Sequence, residues 1–421
     1  MGLEGLVGKM RDSRRGTRCT WALRGSVILI AAIEVVPVAA QRPVEPIRYE
    51  GSNNTTQRVV EPPFAAVGLS KPPEMILAAL PASDRAPRTN KDGVPIIGVT
   101  RALPDNVLEA GRWDELPSGQ RLWRLAIRSP EATGIRLLFG SFDVRGGRVW
   151  VYAAGGKGGS RIEGPFSGRG IFDDGEFWSG IVFGDSVVVE YEPARGAPSH
   201  GEPPFRVSRL SHLVENATPK AEGLVNASLP DANVAACHVD ATCYPEWGES
   251  GAGVARIVFE TTEGLTVCSG SLINTRTSGL RPYFLTANHC INNEASARSI
   301  IAFWLYHTPS CNGQRPSILD SPFTLGARYV AGGGQRDGDF SLLLLNQSPP
   351  PGVVFNGWDP NPITAGAAVT GIHHPGSPPG DHKRISFGFY DAPSDEILTM
   401  LGRPSEKYRT IVYTLVLLCY K

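Results

Sequence analysis

The sequence predicts an all-β protein, and two observations carry this prediction. Among the 421 residues, 48 are glycine and 35 are proline, whereas only 19% are charged. Apolar runs are short and are separated by glycine-rich turns, which is typical of strands joined by tight connections. Lys+Arg and Asp+Glu each total 41, so the formal net charge is zero and we expect no nucleic-acid partner.

The first 40 residues have the pattern of a secretory signal peptide. Five arginines between positions 11 and 24 precede an apolar run at 27–33. Small residues at Val38, Ala39 and Ala40 then provide a cleavage site before Gln41, although Glu34 lies close to the apolar run. Because this run is too short to cross a bilayer as a helix, we predict a secreted protein without a stable membrane span.

Two segments have the composition of connections. Residues 41–95 are rich in Pro, Asn, Arg and Ala, and residues 196–232 are rich in Pro, Ser, Asn and Ala. Neither segment shows clear apolar periodicity. We therefore predict a flexible pro-segment at 41–95 and a linker with a processing site at 196–232.

Residues 96–195 predict a β-sandwich-like prodomain. Strand-like runs separated by glycine-rich turns lie at 123–127, 134–139, 149–152, 176–178 and 186–191. Asp173, Asp174 and Glu176 could bind calcium, but the pattern of oxygen ligands is incomplete and favours an acidic turn.

The aromatic residues of this sandwich support an alternative function. Trp150, Tyr152 and Trp178 could form an adhesion or carbohydrate-binding surface in a non-catalytic secreted protein. Aromatic residues in strands are, however, more often part of the core.

Cysteine usage supports an oxidising compartment. Cys19 lies in the predicted signal and Cys419 near the end, while the other five cluster at Cys237, Cys243, Cys268, Cys290 and Cys311. In an exported protein such a cluster predicts disulfides. Because five is odd, one cysteine lacks a partner within the cluster. No Cys-x-x-Cys pair occurs, which makes a metal site the weaker interpretation.

The segment 283–290, YFLTANHC, is the most informative motif. An apolar strand runs directly into His289 and Cys290, which places a histidine at the end of a buried strand. A histidine there suits a general base, and such a base requires a nucleophile to deprotonate and a carboxylate to orient it.

From Cys237 to about Ser386 the chain resembles the secreted bacterial lysyl endopeptidases, which are chymotrypsin-like serine proteases. The motifs that carry the resemblance are, in order, CSGSLIN at 268–274, YFLTANHC at 283–290, GDFSLLLL at 338–345, NGWD at 356–359, and GIHHPG at 371–376 followed by KRIS at 383–386.

The resemblance implies a trypsin-like protease domain at 233–390, built as a chymotrypsin-like double β-barrel. His289 would be the general base and Asp339 the residue that orients it, with Asp337 as a nearby competitor. Disulfides would join Cys268 to Cys290 and Cys243 to Cys311. The partner that the family gives to Cys237 is missing.

The resemblance also bears on metal binding. His373 and His374, together with His382, could suggest a metal site, but the family carries this His-His-Pro on a strand edge without metal. We expect neither a metal nor another cofactor.

The expected nucleophile is absent downstream of His289. No Gly-x-Ser-Gly follows, and neither Ser394 nor Ser405 has glycines placed for a tight turn. Residues 391–421 form a divergent tail, so we expect an incomplete second barrel and a truncated or frameshifted, inactive protease. The alternative is a pseudoprotease or the binding protein above. Cleavage of proteins or peptides after lysine is implied by the resemblance alone, and we expect a monomer.

Overall fold

The computed structural model describes residues 43–51, 62, 69–154, 161–198, 200–214, 239–277, 279–314, 316–334, 337–359, 368–374 and 384–389. Several sequence predictions lie outside these residues: the signal peptide, the tail, Cys237 and His382.

Strands dominate the structure, at 44% against 10% helix, which confirms the all-β class. The strands before residue 214 are β1 (Ile47–Arg48), β2 (Glu74–Ile76), β3 (Arg88–Thr89), β4 (Pro95–Ala102), β5 (Arg112–Glu115), β6 (Arg121–Arg128), β7 (Gly134–Gly140), β8 (Arg145–Ala153), β9 (Glu163–Gly168), β10 (Phe177–Trp178), β11 (Val182–Phe183), β12 (Ser186–Glu192) and β13 (Arg206–Leu213).

The strands after residue 238 are β14 (Val239–Asp240), β15 (Val254–Thr261), β16 (Gly264–Ile273), β17 (Tyr283–Thr286), β18 (Ile301–Phe303), β19 (Phe323–Leu325), β20 (Ala327–Gly333), β21 (Phe340–Leu345), β22 (Val354–Phe355), β23 (Ala368–His373) and β24 (Arg384–Phe389). The α-helices are short: α1 (Ala82–Arg85), α2 (Gly248–Ala252) and α3 (Glu294–Arg298). Single 3-10 turns lie at Val107–Ala110, Ala241–Cys243, Pro245–Trp247 and Ile318–Asp320. No helix among the described residues is long and apolar enough to cross a bilayer.

The N-terminal half is a two-layered sandwich. One layer is the sheet β2-β6-β12-β8-β9, with β5 paired to β6, and the other contains β10, β7, β13 and β4. Side chains such as Leu125, Ile127, Leu137, Phe139 and Val189 fill one apolar core. The five predicted runs lie in β6, β7, β8, β10 and β12, which confirms the predicted sandwich.

The aromatic residues proposed for adhesion are part of the interior. Trp150 is fully buried, and Tyr152 and Trp178 are 6% and 8% exposed. The Tyr152 hydroxyl donates to Glu190 Oε2 at 2.7 Å. An aromatic platform for carbohydrate would need exposed ring faces, so these three residues give no support to the adhesion hypothesis.

The C-terminal half contains a closed barrel. Its strands pair in the order β19-β18-β15-β16-β17-β21-β20. Strands β19 and β20 are separated only by Gly326, so the two ends of this row are one continuous stretch of chain and the sheet closes on itself. The described part of the second barrel is the three-stranded sheet β14-β24-β23.

A seam of paired strands joins the sandwich to the barrel. Strand β4 pairs with the start of β16, with Gly98 opposite Leu265. A Cβ on Gly264 would lie 2.5 Å from the Gly98 carbonyl oxygen, so this approach requires glycine. The sandwich and the barrel therefore share one continuous sheet.

Strand β13 lies inside the segment 196–232 that the composition indicated to be a linker. It pairs with β4 on one side and β7 on the other, as a central strand of the sandwich. A bulge between Val207 and Arg209 shifts the register and breaks the alternation that reveals a strand. Its buried polar residues, Ser211 and His212, also hide it from hydropathy.

The acidic turn of the sandwich contacts the barrel. Asp174 Oδ2 lies 2.8 Å from a guanidinium nitrogen of Arg298, and this hydrogen-bonded pair holds the pKa of Asp174 below its ordinary value. The same guanidinium lies 4.0 Å from the ring centroid of Phe172. The turn is thus part of the interface between the two halves.

Glu163 on β9 is a buried carboxyl in the sandwich. It is 2% exposed, and burial raises its pKa to about 7 from 4.5, against the opposing charges of Arg161 and Arg136. A carboxyl whose pKa is raised by folding stabilises the folded state fully when the pH is below its unfolded pKa. This stabilisation is lost as the pH rises through its folded pKa. The relevant window is therefore pH 4.5 to about 7.

We expect ionisation of Glu163 to cost about 3 kcal/mol of unfolding free energy across this window. Glu163→Gln should remove that loss, so the variant gains stability relative to the wild type between about pH 5 and about pH 8. Urea unfolding at several pH values measures the difference. Glu115→Gln, which changes an exposed carboxyl on β5, should show no such trend. Parallel pH profiles for Glu163→Gln and wild type would contradict the assignment.

Candidate active site

His289 follows the central strand of the barrel. Strand β17 lies between β16 and β21, and its Phe284 is fully buried. The ring of Phe284 fills the space beside Gly270, where a Cβ would lie 2.2 Å from it. At the end of the strand, the Thr286 hydroxyl donates to the Ser269 carbonyl at 2.8 Å. The histidine is therefore carried by a rigid strand end.

Asp339 makes two hydrogen bonds with His289. Its Oδ2 lies 2.6 Å from His289 Nδ1, and its Oδ1 accepts from the His289 backbone N–H at 2.9 Å. Because the carboxylate only accepts, the Nδ1 proton lies between the two groups and the neutral imidazole keeps its lone pair on Nε2. The side chains are 18% and 16% exposed, so a substrate can reach the ring.

The backbone at Asp339 has an unusual conformation. Its φ is +46°, in the left-handed region that non-glycine residues rarely adopt. The backbone N–H of Asp339 donates to the Gly334 carbonyl at 2.9 Å, and so does that of Asp337 at 2.8 Å. Of these two carboxylates, the structure brings Asp339 and not Asp337 into hydrogen bonding with His289.

Two further polar residues support this arrangement and were not identified from the sequence. Asn288 donates its side-chain amide to Ser341 Oγ at 3.2 Å and its backbone N–H to the Asp339 carbonyl at 3.2 Å. Ser341 in turn donates to the Ile291 carbonyl at 2.5 Å. In the sequence, only their positions could have indicated them: Asn288 directly precedes His289, and Ser341 lies two residues after Asp339.

Two disulfides hold the surrounding chain, and they join the same pairs of cysteines that were expected from the sequence. Cys268 is bonded to Cys290, and Cys243 to Cys311. The first bond joins β16 to the residue after His289. The sulfurs of Cys268 and Cys290 lie close enough to His289 to resemble a metal site, but each is already bonded to the other.

Comparison with known proteins identifies both halves of the chain. Residues 69–214 match the lysyl endopeptidase N-terminal domain, and residues 232–410 match the lysyl endopeptidase C-terminal domain. Together these two regions cover most of the chain. This protein belongs to the lysyl endopeptidase family. The C-terminal match continues past Ser386, where the recognised motifs end.

A curated member of the family, the lysyl endopeptidase of Pseudomonas aeruginosa, is 31% identical over 322 residues. The alignment covers 72% of this chain and 66% of the relative, so the chain spans just under two thirds of the relative's length.

Two solved protease structures are also similar. The thermostable serine protease AL20 from an extremophilic microorganism is 13% identical with a TM-score of 0.25, over 34% of this chain and 69% of its own. Protease Anisep from Arthrobacter nicotinovorans is 16% identical with a TM-score of 0.26, over 34% and 67%.

Helix α3 follows the histidine motif of this lysyl endopeptidase family member and begins at a capped turn. Asn293 Oδ1 accepts from the Ser296 backbone N–H at 2.9 Å. We expect Asn293→Ala to lower the unfolding free energy by about 1 kcal/mol, because one helical N–H loses its partner. Thermal unfolding measures the loss. Asn293→Ser, which keeps a capping oxygen at this position, should be nearly neutral, and equal effects of the two changes would refute the capping role.

Proposed function

We propose that this chain is the precursor form of a secreted serine endopeptidase that cleaves peptide bonds after lysine. The observation that carries the proposal is the hydrogen-bonded pair of Asp339 and His289, which lies just beyond the end of strand β17. Lysine preference is supported by the family and by the name of the Pseudomonas aeruginosa relative. Export is supported by the two disulfides, which persist in oxidising compartments.

In this proposal His289 is the general base. Its Nε2 takes the proton from a serine hydroxyl as the oxygen attacks the scissile carbonyl, and then gives that proton to the leaving amine. Asp339 fixes the tautomer of the imidazole and stabilises the imidazolium that forms between the two steps. The sandwich at 69–214 is the prodomain, which the shared sheet joins to the barrel.

We propose that the 421-residue chain does not complete this reaction by itself. No Gly-x-Ser-Gly follows His289 in the sequence. The Gly-Glu-Ser-Gly at 248–251 belongs to helix α2, where the Ser250 carbonyl accepts from the Asn356 side chain at 3.0 Å. Among the described residues, no hydrogen bond joins Ser250 to His289.

The test uses lysyl peptide substrates and a fluorophosphonate probe that labels activated serines. We expect the purified chain to show neither turnover nor labelling, and to be indistinguishable from His289→Ala. Turnover by the wild-type chain that His289→Ala abolishes would overturn the proposed inactivity.

A chimera tests the base itself. The chain up to residue 386 is continued with the corresponding segment of the Pseudomonas aeruginosa relative, which by the family resemblance would supply the serine nucleophile. We expect lysyl endopeptidase activity that depends on His289. A folded, active chimera that is insensitive to His289→Ala would refute the role of His289.

A further inference from the structure

Residues 43–51 form an extended segment along residues 352–358, although the composition predicted a flexible region there. Residues 352–358 lie beside the barrel and bridge to β16 at Ile273, and we call this stretch the barrel edge. Strand β1 in this segment pairs antiparallel with β22, with Ile47 opposite Phe355. Upstream, an isolated bridge pairs Val44 with Trp358. The segment therefore runs the length of residues 352–358, from which it is separated by about 300 positions in sequence.

The main chain provides most of this contact. Val44 N–H donates to the Trp358 carbonyl at 2.8 Å, and Trp358 N–H donates back at 2.9 Å. At the other end, Tyr49 N–H donates to Val353 at 2.8 Å, and Gly352 N–H donates to Tyr49 at 2.8 Å. One reciprocal pair of bonds at Val44 and two main-chain bonds at Tyr49 thus fix the register at both ends, as in peptides that bind by strand addition.

The side chains of the segment contribute less. Ile47 is 44% exposed, and Arg48 is exposed with its guanidinium on the Gly352 carbonyl at 3.1 Å. Tyr49 is the exception, because its ring packs edge-on against Phe355 at a centroid distance of 6.1 Å. Because the segment is bound through its backbone and the Tyr49 ring, we expect substitutions at its other positions to be tolerated.

The barrel edge is shaped to receive a backbone. A Cβ on Gly357 would lie 2.2 Å from the Val44 carbonyl oxygen, so the segment approaches only because this residue is glycine. Asn274 donates its side-chain amide to the Glu45 carbonyl at 2.8 Å, and its Oδ1 accepts from the Thr275 backbone N–H at 2.8 Å. The backbone carbonyl of Asn274 accepts from the Trp358 indole N–H at 2.9 Å. A polar side chain aimed at a main-chain carbonyl and held by a second bond is a binding feature.

We propose that the barrel edge at residues 352–358, together with Asn274, is a peptide-docking site that binds an extended segment by strand addition. Residues 43–51 are its ligand within the chain. When this segment leaves, the edge is an unpaired row of N–H and C=O groups, and it binds the same peptide from a second molecule.

The experiment uses the full chain and a fluorescein-labelled synthetic peptide of residues 42–51. In a release variant, Val44→Pro and Tyr49→Pro remove two N–H donors of the segment, one towards each end. Wild type should bind little peptide because its site is filled, whereas the release variant should bind it saturably. Adding Gly357→Ala to the release variant should weaken this binding about 10-fold or more. Gly248→Ala, where a Cβ meets nothing within 4 Å, is the matched control.

Hydrogen exchange of backbone amides tests whether the segment has left the barrel edge. The Gly352 and Trp358 amides should exchange faster in the release variant, and the Val44 and Tyr49 amides faster in Gly357→Ala alone, while β15 amides stay protected. Unchanged exchange would show that these bonds do not hold the segment. Fast exchange without peptide binding, or binding that ignores Gly357→Ala, would also overturn the proposal.

Discussion

Asp339→Asn is expected to lower kcat about 10⁴-fold in the chimera that carries a serine nucleophile. Asp339 accepts from both Nδ1 and the backbone N–H of His289. Asparagine keeps the shape but presents an amide donor, which favours the tautomer protonated on Nε2. That tautomer cannot accept the serine proton, so the loss falls on kcat and not on substrate binding.

Asp337→Asn is the matched control, because Asp337 lies two residues away in the same turn and is not hydrogen-bonded to His289 in the structure. It should leave kcat within a few-fold of the parent, since no catalytic contact is lost. Equal losses for the two variants would mean that the turn matters for folding and that the carboxylate at 339 has no specific role.

Glu260→Ala is expected to lower the unfolding free energy by about 3–5 kcal/mol. Glu260 lies on β15 of the barrel, yet its carboxylate faces the sandwich. Its Oε2 accepts from the Thr100 hydroxyl at 2.6 Å, and its Oε1 accepts from the Ser211 hydroxyl and lies 3.9 Å from the Arg136 guanidinium. Burial lowers the pKa of Arg136 to about 10, so this guanidinium stays charged at neutral pH. Removal of Glu260 leaves the buried positive charge of Arg136 with less negative charge near it.

Urea unfolding at neutral pH measures the effect. Glu263→Ala changes an exposed carboxylate in the turn that follows the same strand and should be nearly neutral. Glu260→Gln keeps the shape and part of the hydrogen bonding, so its loss should be intermediate. A loss of unfolding free energy below about 1 kcal/mol for Glu260→Ala would be typical of an exposed ion pair. It would contradict the proposed stabilisation by a buried Glu260.

Local sequence patterns were sufficient for five strands of the sandwich, β6, β7, β8, β10 and β12. The runs at 123–127 and 186–191 have the composition of strands and become β6 and β12. Ordered motifs were needed to associate His289 with Asp339, because the two residues are 50 positions apart. The disulfides also depended on the resemblance, since cysteine spacing alone permits several pairings.

The missed features all depend on pairing between distant segments. Strand β1 has an exposed two-residue pattern and is defined by its partner β22. Strand β13 is interrupted by a bulge. Nothing in the local sequence distinguishes Glu260 from a surface carboxylate, because its hydroxyl partners come from the distant strands β4 and β13. None of these contacts leaves a periodic signal within its own segment, so a local pattern cannot reveal them.

The seam between Gly98 and Leu265 also has a consequence for the order of folding. The sandwich is synthesised before β16, so the outer edge of β4 is unpaired until residues near 265 emerge from the ribosome. Pairing over such a sequence separation raises the contact order and slows folding. During this interval the exposed edge of β4 can pair with another nascent chain. Aggregation during synthesis should therefore depend on how quickly the barrel follows the sandwich.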